Sequence, residues 1–460
     1  MSATAEVRAQ LRLTAPIAGT QLGEIAIHTT DIVMLGRLGP GALAAGTLGV
    51  HVIMALMLFG FGVVMAVQPL VAQAKGAGDP RMMRRDLRAG LWAGMIASLP
   101  LMLLCAAGET LLRSAGQAPA IALDGGAYLQ AALWGIPGAV AFMALRGYVA
   151  AVGRPGLAMA VMLISVVVNA VLNYALIFGK LGAPRLELTG AGLASSSVNL
   201  AMAVALAVVI RVHPRLRRLP VFARFWRLDV VRLRAVAAVG VPIGLTLVCE
   251  DGIFIAATIM MGWLGETALA AHGIAIQIVS VVFMLPLAIG LGATVRVGRY
   301  HGAGDPAGVR RAGIVAYALG GVVMLGAIAA FLTIPQSLIG LFVDLKAPGN
   351  AEVIAIATNL LVMAAVFQLA DGGQVIGISA LRGLSDTRIP FVFALIAYWV
   401  FGVAIAYILG IRMGLGGTGV WAGLAVGLAI AAALFAARFH LLTRGSRTAW
   451  RPASPWMPGP

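Results

Sequence analysis

Twelve stretches of about twenty or more mostly apolar residues, each long enough to cross a bilayer as a helix, run through the sequence. They fall near residues 11–36, 42–73, 89–112, 121–145, 156–179, 189–210, 235–263, 267–295, 312–343, 351–381, 389–411 and 416–437. No water-soluble core could cover that much apolar length in a chain of 460 residues. Hydrophobic residues make up 61% of it and charged residues 11%, against roughly a quarter charged in an ordinary soluble domain. Inside hydrocarbon every backbone N–H and C=O must be satisfied within the protein, and for segments of this length the helix does that. The sequence therefore predicts an all-α polytopic membrane protein with twelve transmembrane helices.

An even number of spans puts both termini on one side. On that assignment 27 of the 33 Lys and Arg lie with the termini, and six (Arg37, Arg113, Lys180, Arg185, Lys346 and Arg412) lie opposite. By the positive-inside rule the termini and the basic stretch from Arg211 to Arg234 are expected to be cytoplasmic. The net charge of +16 is then a topological signal, and no nucleic-acid partner is expected. The first apolar segment carries Glu24, His28 and Asp31 and leads to no small-residue cleavage site, so no cleavable signal peptide is expected. Cys105 and Cys249 both sit in apolar runs, which indicates neither a disulfide framework nor a cysteine metal site.

The two halves repeat. Pro16-Ile17, Thr20 and Glu24 recur as Pro242-Ile243, Thr246 and Glu250, and Gly76-Ala77-Gly78-Asp79-Pro80 recurs as Gly302-Ala303-Gly304-Asp305-Pro306, all at an offset of 226 residues. Ala144-Leu145-Arg146-Gly147 recurs as Ala380-Leu381-Arg382-Gly383 at an offset of 236. Six spans per copy give both copies one orientation, related by an axis along the membrane normal. The expected organisation is an N-lobe at 1–213, a basic cytoplasmic linker at 214–234, a C-lobe at 235–445 and a cytoplasmic tail at 446–460.

Acids inside the spans are few: Glu24, Asp31, Glu250, Asp251 and Asp371. An ionised carboxylate at the middle of a spanning helix costs about 2.5 to 3.5 kcal/mol on insertion scales, so such a group is expected to face a cavity, an ion or a partner. Asp371 lies between Gln368 and Gln374, beside two glycines. A sodium ion would use several such oxygens and a proton site needs one carboxyl with a raised pKa, so either ion fits. Asn169 and Asn173, one helical turn apart, are candidate partners of Asp31 from another span, or interhelical glue. Glu24, His28 and Asp31 stand at spacings of four and three on one helical face, which suits either a proton relay or a locally satisfied cluster. Asp251 sits about 100° around its helix from Glu250. Pro16 and Pro242 each precede an intramembrane acid by two turns, where a bend could redirect it. No His-Glu-x-x-His, Gly-x-Ser-x-Gly or Walker sequence is present, so an enzyme or ATP-driven pump is not expected.

Taken in order, these motifs resemble the multidrug and toxic compound extrusion (MATE) transporters, NorM-type branch, over essentially the whole chain. The carriers are Pro16 with Thr30-Asp31-Ile32-Val33-Met34-Leu35-Gly36, Gly76-Ala77-Gly78-Asp79, Pro242 with Glu250, and Asp371 with Ala380-Leu381-Arg382-Gly383. The resemblance implies two pseudo-symmetric six-helix lobes around a central cavity and a secondary antiporter of a bacterial inner membrane. Such a protein exports lipophilic, often cationic compounds in exchange for H+ or Na+ by alternating access, with no cofactor and no obligate protein partner beyond membrane lipid. It assigns ion coupling to Glu250, Asp371 and Asp31, with Glu250 and Asp371 as a possible Na+ site. Asn169, Asn173, Glu24, His28, Phe367, Gln277 and Gln374 are candidates for ion or substrate binding. Phe367 stands where a tyrosine is often found, Glu24 where an uncharged polar residue is expected, and His28 lies outside the motif. Two other functions suit such a chain: a lipid-linked precursor flippase, which would favour cationic residues in its cavity, and a passive cation channel.

Overall fold

The computed structural model describes residues 2–444 except 218 and 220; the expected tail at 446–460 lies outside the described residues. The described chain is helical, with twelve long helices. These are α1 (Ala3–Gly36), α2 (Pro40–Gly76), α3 (Pro80–Ala106), α4 (Pro119–Ala151), α5 (Pro155–Phe178), α6 (Glu187–Val212), α7 (Val230–Trp263), α8 (Glu266–Gly302), α9 (Pro306–Thr333), α10 (Ala351–Gly383), α11 (Arg388–Arg412) and α12 (Gly416–Thr443). The eleven from α2 onward are long and apolar enough to cross a membrane. The twelfth, α1, is long enough, and its polar residues from Thr14 to Asp31 dilute its apolarity.

Local rules explain several boundaries. Pro69 has no N–H for the carbonyl of Met65, and α2 is interrupted at Ala66; Pro137 likewise cannot bond Leu133, and α4 tightens there into a 3₁₀ turn at Leu133–Gly135. The ninth span was expected to run to 343 but ends at Thr333, because Pro335 forces Ile334 out of helical geometry and opens the short helix Pro335–Ile339. The repeated Gly-Ala-Gly-Asp-Pro sequence makes the same turn twice. Gly78 and Gly304 take left-handed φ of 70° and 69°, where a Cβ would be strained. Asp79 Oδ1 then accepts from the N–H groups of Arg81 and Met82 at 2.9 Å, and Asp305 Oδ1 from Gly308 N–H at 2.8 Å. Each caps a helix that begins with proline.

The described chain forms two compact units, and they do not divide where the linker was expected. Residues 15–244 form one and residues 2–14 with 245–444 the other. The start of α1 therefore belongs with the C-terminal helices and the start of α7 with the N-terminal ones. Backbone approach and charge explain why. In the N-terminal unit a Cβ on Gly62 would lie 2.2 Å from Gly244 Cα, and one on Gly240 would lie 2.1 Å from Val63 O. No residue but glycine lets α2 and α7 come so close. Arg232 of α7 also pairs with buried Asp86 of α3. In the C-terminal unit Gln10 Nε2 donates to Ile289 O at 2.8 Å, and Glu6 forms a two-pronged ion pair with Arg296 of α8.

The expected linker is docked within the N-terminal unit. Arg88 Nη1 donates to Arg224 O at 3.0 Å, Trp92 Nε1 donates to Phe225 O at 2.9 Å and stacks on its ring, and Arg85 Nε donates to Asp229 Oδ2 at 2.6 Å. Arg85, Arg88 and Trp92 share one face of α3 by their spacing of three and four. Burial pushes the Asp229 carboxyl up, but the Arg85 hydrogen bond, the Arg232 backbone N–H and the Arg85 and Arg88 charges hold it below its ordinary value.

Candidate functional site

Each unit gathers its intramembrane acids with partners from other helices. In the N-terminal unit the spacing of Glu24, His28 and Asp31 is realised: all three line one cavity. Asp31 is buried, and Asn169 Nδ2 (3.1 Å) and Asn173 Nδ2 (2.5 Å) of α5 donate to its Oδ1 while Ser195 Oγ of α6 donates to Oδ2 at 3.3 Å. A carboxylate only accepts, and here both its oxygens do so. Glu24 pairs with Arg146 of α4 at 3.3 Å. No hydrogen bond links His28 to either acid among the described residues, so the three side chains share a wall and not a continuous chain of bonds. The rest of the wall is soft and apolar, with Met54, Met57, Met143, Met162, Met202, Phe61, Phe142 and Tyr128.

In the C-terminal unit Glu250 and Asp371 also come together. Gln374 Nε2 donates to Glu250 Oε1 at 2.6 Å, and the Tyr398 hydroxyl of α11 donates to Gln374 Oε1 at 2.8 Å, which fixes the amide's orientation. Gln374 also supports the Asp371 carboxylate. Asp371 Oδ1 and both amide atoms of Gln368 are buried without a partner among the described residues, and unsatisfied buried oxygens are the groups a desolvated cation or proton would engage. Phe367 is fully buried, edge-on to Phe254 and Trp421. The hydroxyl that Phe367 lacks is present nearby on Tyr398, one helix away. Among the described residues no three His, Cys, Asp or Glu side chains gather as a metal site, so a sodium ion here would rest on two carboxylates and amide oxygens. Gln277 does not join the cluster. It is exposed on α8, opposite the buried stripe of Ala271, His272, Ala275, Ile278 and Val279, because the 3.6-residue repeat carries it to the far face.

Four participants were not singled out from sequence: Ser195, Tyr398, Arg146 and Arg382. The two arginines were assigned to cytoplasmic loops, yet Arg146 lies within α4 on the cavity wall, and Arg382 within α10 is buried with its charge drawn to Glu250. The signal was available, since both stand in the repeated Ala-Leu-Arg-Gly sequence. Ser195 and Tyr398 carry no such mark.

The MatE family model matches residues 16–175 and 242–408, stretches that contain Glu24, Asp31, Asn169, Glu250 and Asp371. The chain belongs to the MATE family. Its MATE relatives include the "probable multidrug resistance protein NorM" of Rhodopseudomonas palustris, 44% identical over 94% of this chain and 91% of that protein. A protein of the same description from Mesorhizobium japonicum is 40% identical over 91% and 90%. Two solved structures share the fold: an outward-facing multidrug resistance MATE transporter, with TM-score 0.86, 20% identity and coverage of 95% of this chain and 96% of that one, and a MOP superfamily transporter from Pyrococcus furiosus, with TM-score 0.85, 20% identity and the same coverage. As a MATE member the protein is a multi-pass membrane transporter and not an enzyme.

Proposed function

We infer that this chain is a secondary multidrug efflux antiporter that exports lipophilic, often cationic compounds from a bacterial cytoplasm in exchange for H+ or Na+. The observation that carries the reading is the N-terminal cavity, in which buried Asp31 and partly buried Glu24 stand among five methionines and three aromatic rings. Unbranched, polarisable Met side chains repack around ligands of different shape. The acids supply attraction for positive charge where water is scarce. The NorM description of the relatives supports the same substrate class. Glu250 and Asp371, with Gln374 and Tyr398 behind them, are assigned to the coupling ion. Exchange requires that cargo and ion favour different states of the protein, because a ligand with equal affinity for both shifts nothing. The excess of Lys and Arg on one side supports an inner-membrane protein with cytoplasmic termini.

Arg146 on the cavity wall favours a second reading, a flippase that holds the pyrophosphate of a lipid-linked precursor. Its charge is matched by Glu24 at 3.3 Å, so among the described residues the wall holds no arginine free of an acid partner for a pyrophosphate, and Asp31 adds a second acid that suits a cation. Export of ethidium from a transporter-deficient strain tests the assignment. Glu250→Gln and Asp371→Asn are expected to abolish efflux at normal membrane expression; wild-type rates in both variants would defeat it. A wild-type chain that moves no ethidium and corrects a cell-envelope defect would favour the flippase.

A further inference from the structure

The internal repeat places an arginine against the glutamate in both units. Glu24 and Glu250 are equivalent at the offset of 226, and Arg146 and Arg382 at the offset of 236. In the N-terminal unit the two charges touch, Arg146 Nη1 to Glu24 Oε2 at 3.3 Å on the cavity wall. In the C-terminal unit they attract without a direct bond. Glu250 takes its hydrogen bond from Gln374, and the Nε and Nη2 of buried Arg382 have no partner among the described residues. The repeat thus presents the same pair engaged in one unit and disengaged in the other. A guanidinium does not lose its proton in a protein, so neither arginine can become neutral. Packing alone would not select it, since a buried permanent charge is expensive and a methionine of similar length would fill the space.

We propose that Arg146 and Arg382 are resident counter-cations. Arg146 holds the glutamate of its repeat in direct contact and Arg382 offsets the charge of its own without a bond, and each moves off when an external cation arrives, so that a cation is bound by exchange for a tethered guanidinium and not by a bare carboxylate. This rests on the reading of the cavity as a site for lipophilic cations and deepens it. Charge on the binding wall stays balanced through the cycle, and an empty transporter is spared two unpaired acids in the membrane. A neutral drug does not compete with the guanidinium, so the arginine sets a threshold that only a positively charged ligand crosses with the help of Glu24.

The test is binding of tetraphenylphosphonium to the purified full-length protein in detergent, with triphenylphosphine oxide as its uncharged analogue. Arg146→Gln frees Glu24 and is expected to tighten tetraphenylphosphonium binding by on the order of five- to tenfold, the size of a modest coupling between sites. Glu24→Gln leaves the guanidinium unopposed and is expected to weaken it by a similar factor. The double variant is expected to return to within about twofold of wild type, because each substitution removes the other's partner. Arg146→Lys keeps the charge and the wild-type affinity, and the uncharged analogue is indifferent to all four. Unchanged or weaker binding in Arg146→Gln, or loss of the uncharged analogue with it, overturns the proposal and leaves the cation-transport reading in place. No binding of tetraphenylphosphonium to wild type removes that reading and the proposal together. If Arg146→Gln does not yield folded protein, Arg382→Gln carries the test through inhibition of ethidium export by external sodium or proton. A five- to tenfold lower half-inhibitory concentration is then expected, and no change in either ion overturns the proposal.

Discussion

Glu6 is fully buried and accepts from Arg296 Nε at 2.7 Å, from Arg296 Nη2 at 2.6 Å and from the Tyr300 hydroxyl at 2.6 Å. Removing one partner of a buried pair strands the other, at a cost of about 3 to 5 kcal/mol, whereas replacing both by apolar groups is close to neutral. Glu6→Ala is therefore expected to lower the melting temperature in detergent strongly, with most of the loss recovered in Glu6→Leu/Arg296→Met; a small effect of the single variant would show that the pair does not hold the start of α1. Asp31 belongs to the same scale. Asp31→Asn keeps the volume but replaces one acceptor oxygen with a donor, against three donors already aimed at the carboxylate. It is expected to reduce efflux of cationic substrates more than that of neutral ones, as read from paired transport assays. The acid was legible in the sequence because a carboxylate in an apolar run needs a reason to be there. Ser195 was not, since nothing marks it out from its neighbours Ser196 and Ser197 until the fold brings it to Asp31.

Helices in this protein meet through small residues, and here the sequence pattern translates directly into distance. Gly419, Gly423 and Gly427, one per turn along α12, face α11; a Cβ on Gly423 would lie 2.1 Å from Ala406 N and one on Gly427 2.7 Å from Gly402 Cα. The π-helical stretches Ile396–Val403 and Ile408–Arg412 of α11 lie along this contact. Since backbone cannot yield as a flexible side chain does, Gly423→Val is expected to cost at least the ~1 to 3 kcal/mol typical of overpacking. It should appear as poor membrane accumulation and a lowered melting temperature, while Gly273→Ala on α8, where a Cβ meets nothing within 4 Å, should leave both unchanged. The segment before α7 offers a pH handle. With its carboxyl held below the ordinary value, Asp229 stabilises the docked segment above the unfolded-state pKa, about 3.9, and that stabilisation is lost as pH falls through the lower folded value. Hydrogen exchange over 221–229 is expected to stay slow from neutral pH to about 4 and to accelerate below it, and Asp229→Asn should remove the dependence.

At the scale of the whole molecule the boundary between compact units passes through α1 between Thr14 and Ala15 and through α7 between Gly244 and Leu245. It lies beside Pro16 and Pro242 in both, the helix positions with the weakest backbone bonding. Alternating access would require these two helices to flex there. Pro16→Ala with Pro242→Ala is expected to slow transport severalfold while cargo affinity changes little, and unaltered turnover would remove the two prolines from the mechanism. Proteoliposomes under separately imposed sodium and pH gradients would identify the coupling ion, with uphill substrate movement under only one gradient the expected result; downhill flux alone would mark a channel. By itself the sequence determined the class, the span count, the duplication and the buried acids, because each follows from what hydrocarbon permits: apolar length, internally bonded backbone and no charge without a use. Only the tertiary structure decided that the units divide within α1 and α7, that Gln277 lies on the exposed face of α8, and that Arg146 and Arg382 lie within spanning helices beside partly buried glutamates. Those outcomes depend on which helix faces which at glycine distance and on the last rotation of a side chain, and neither helical periodicity nor composition carries that information.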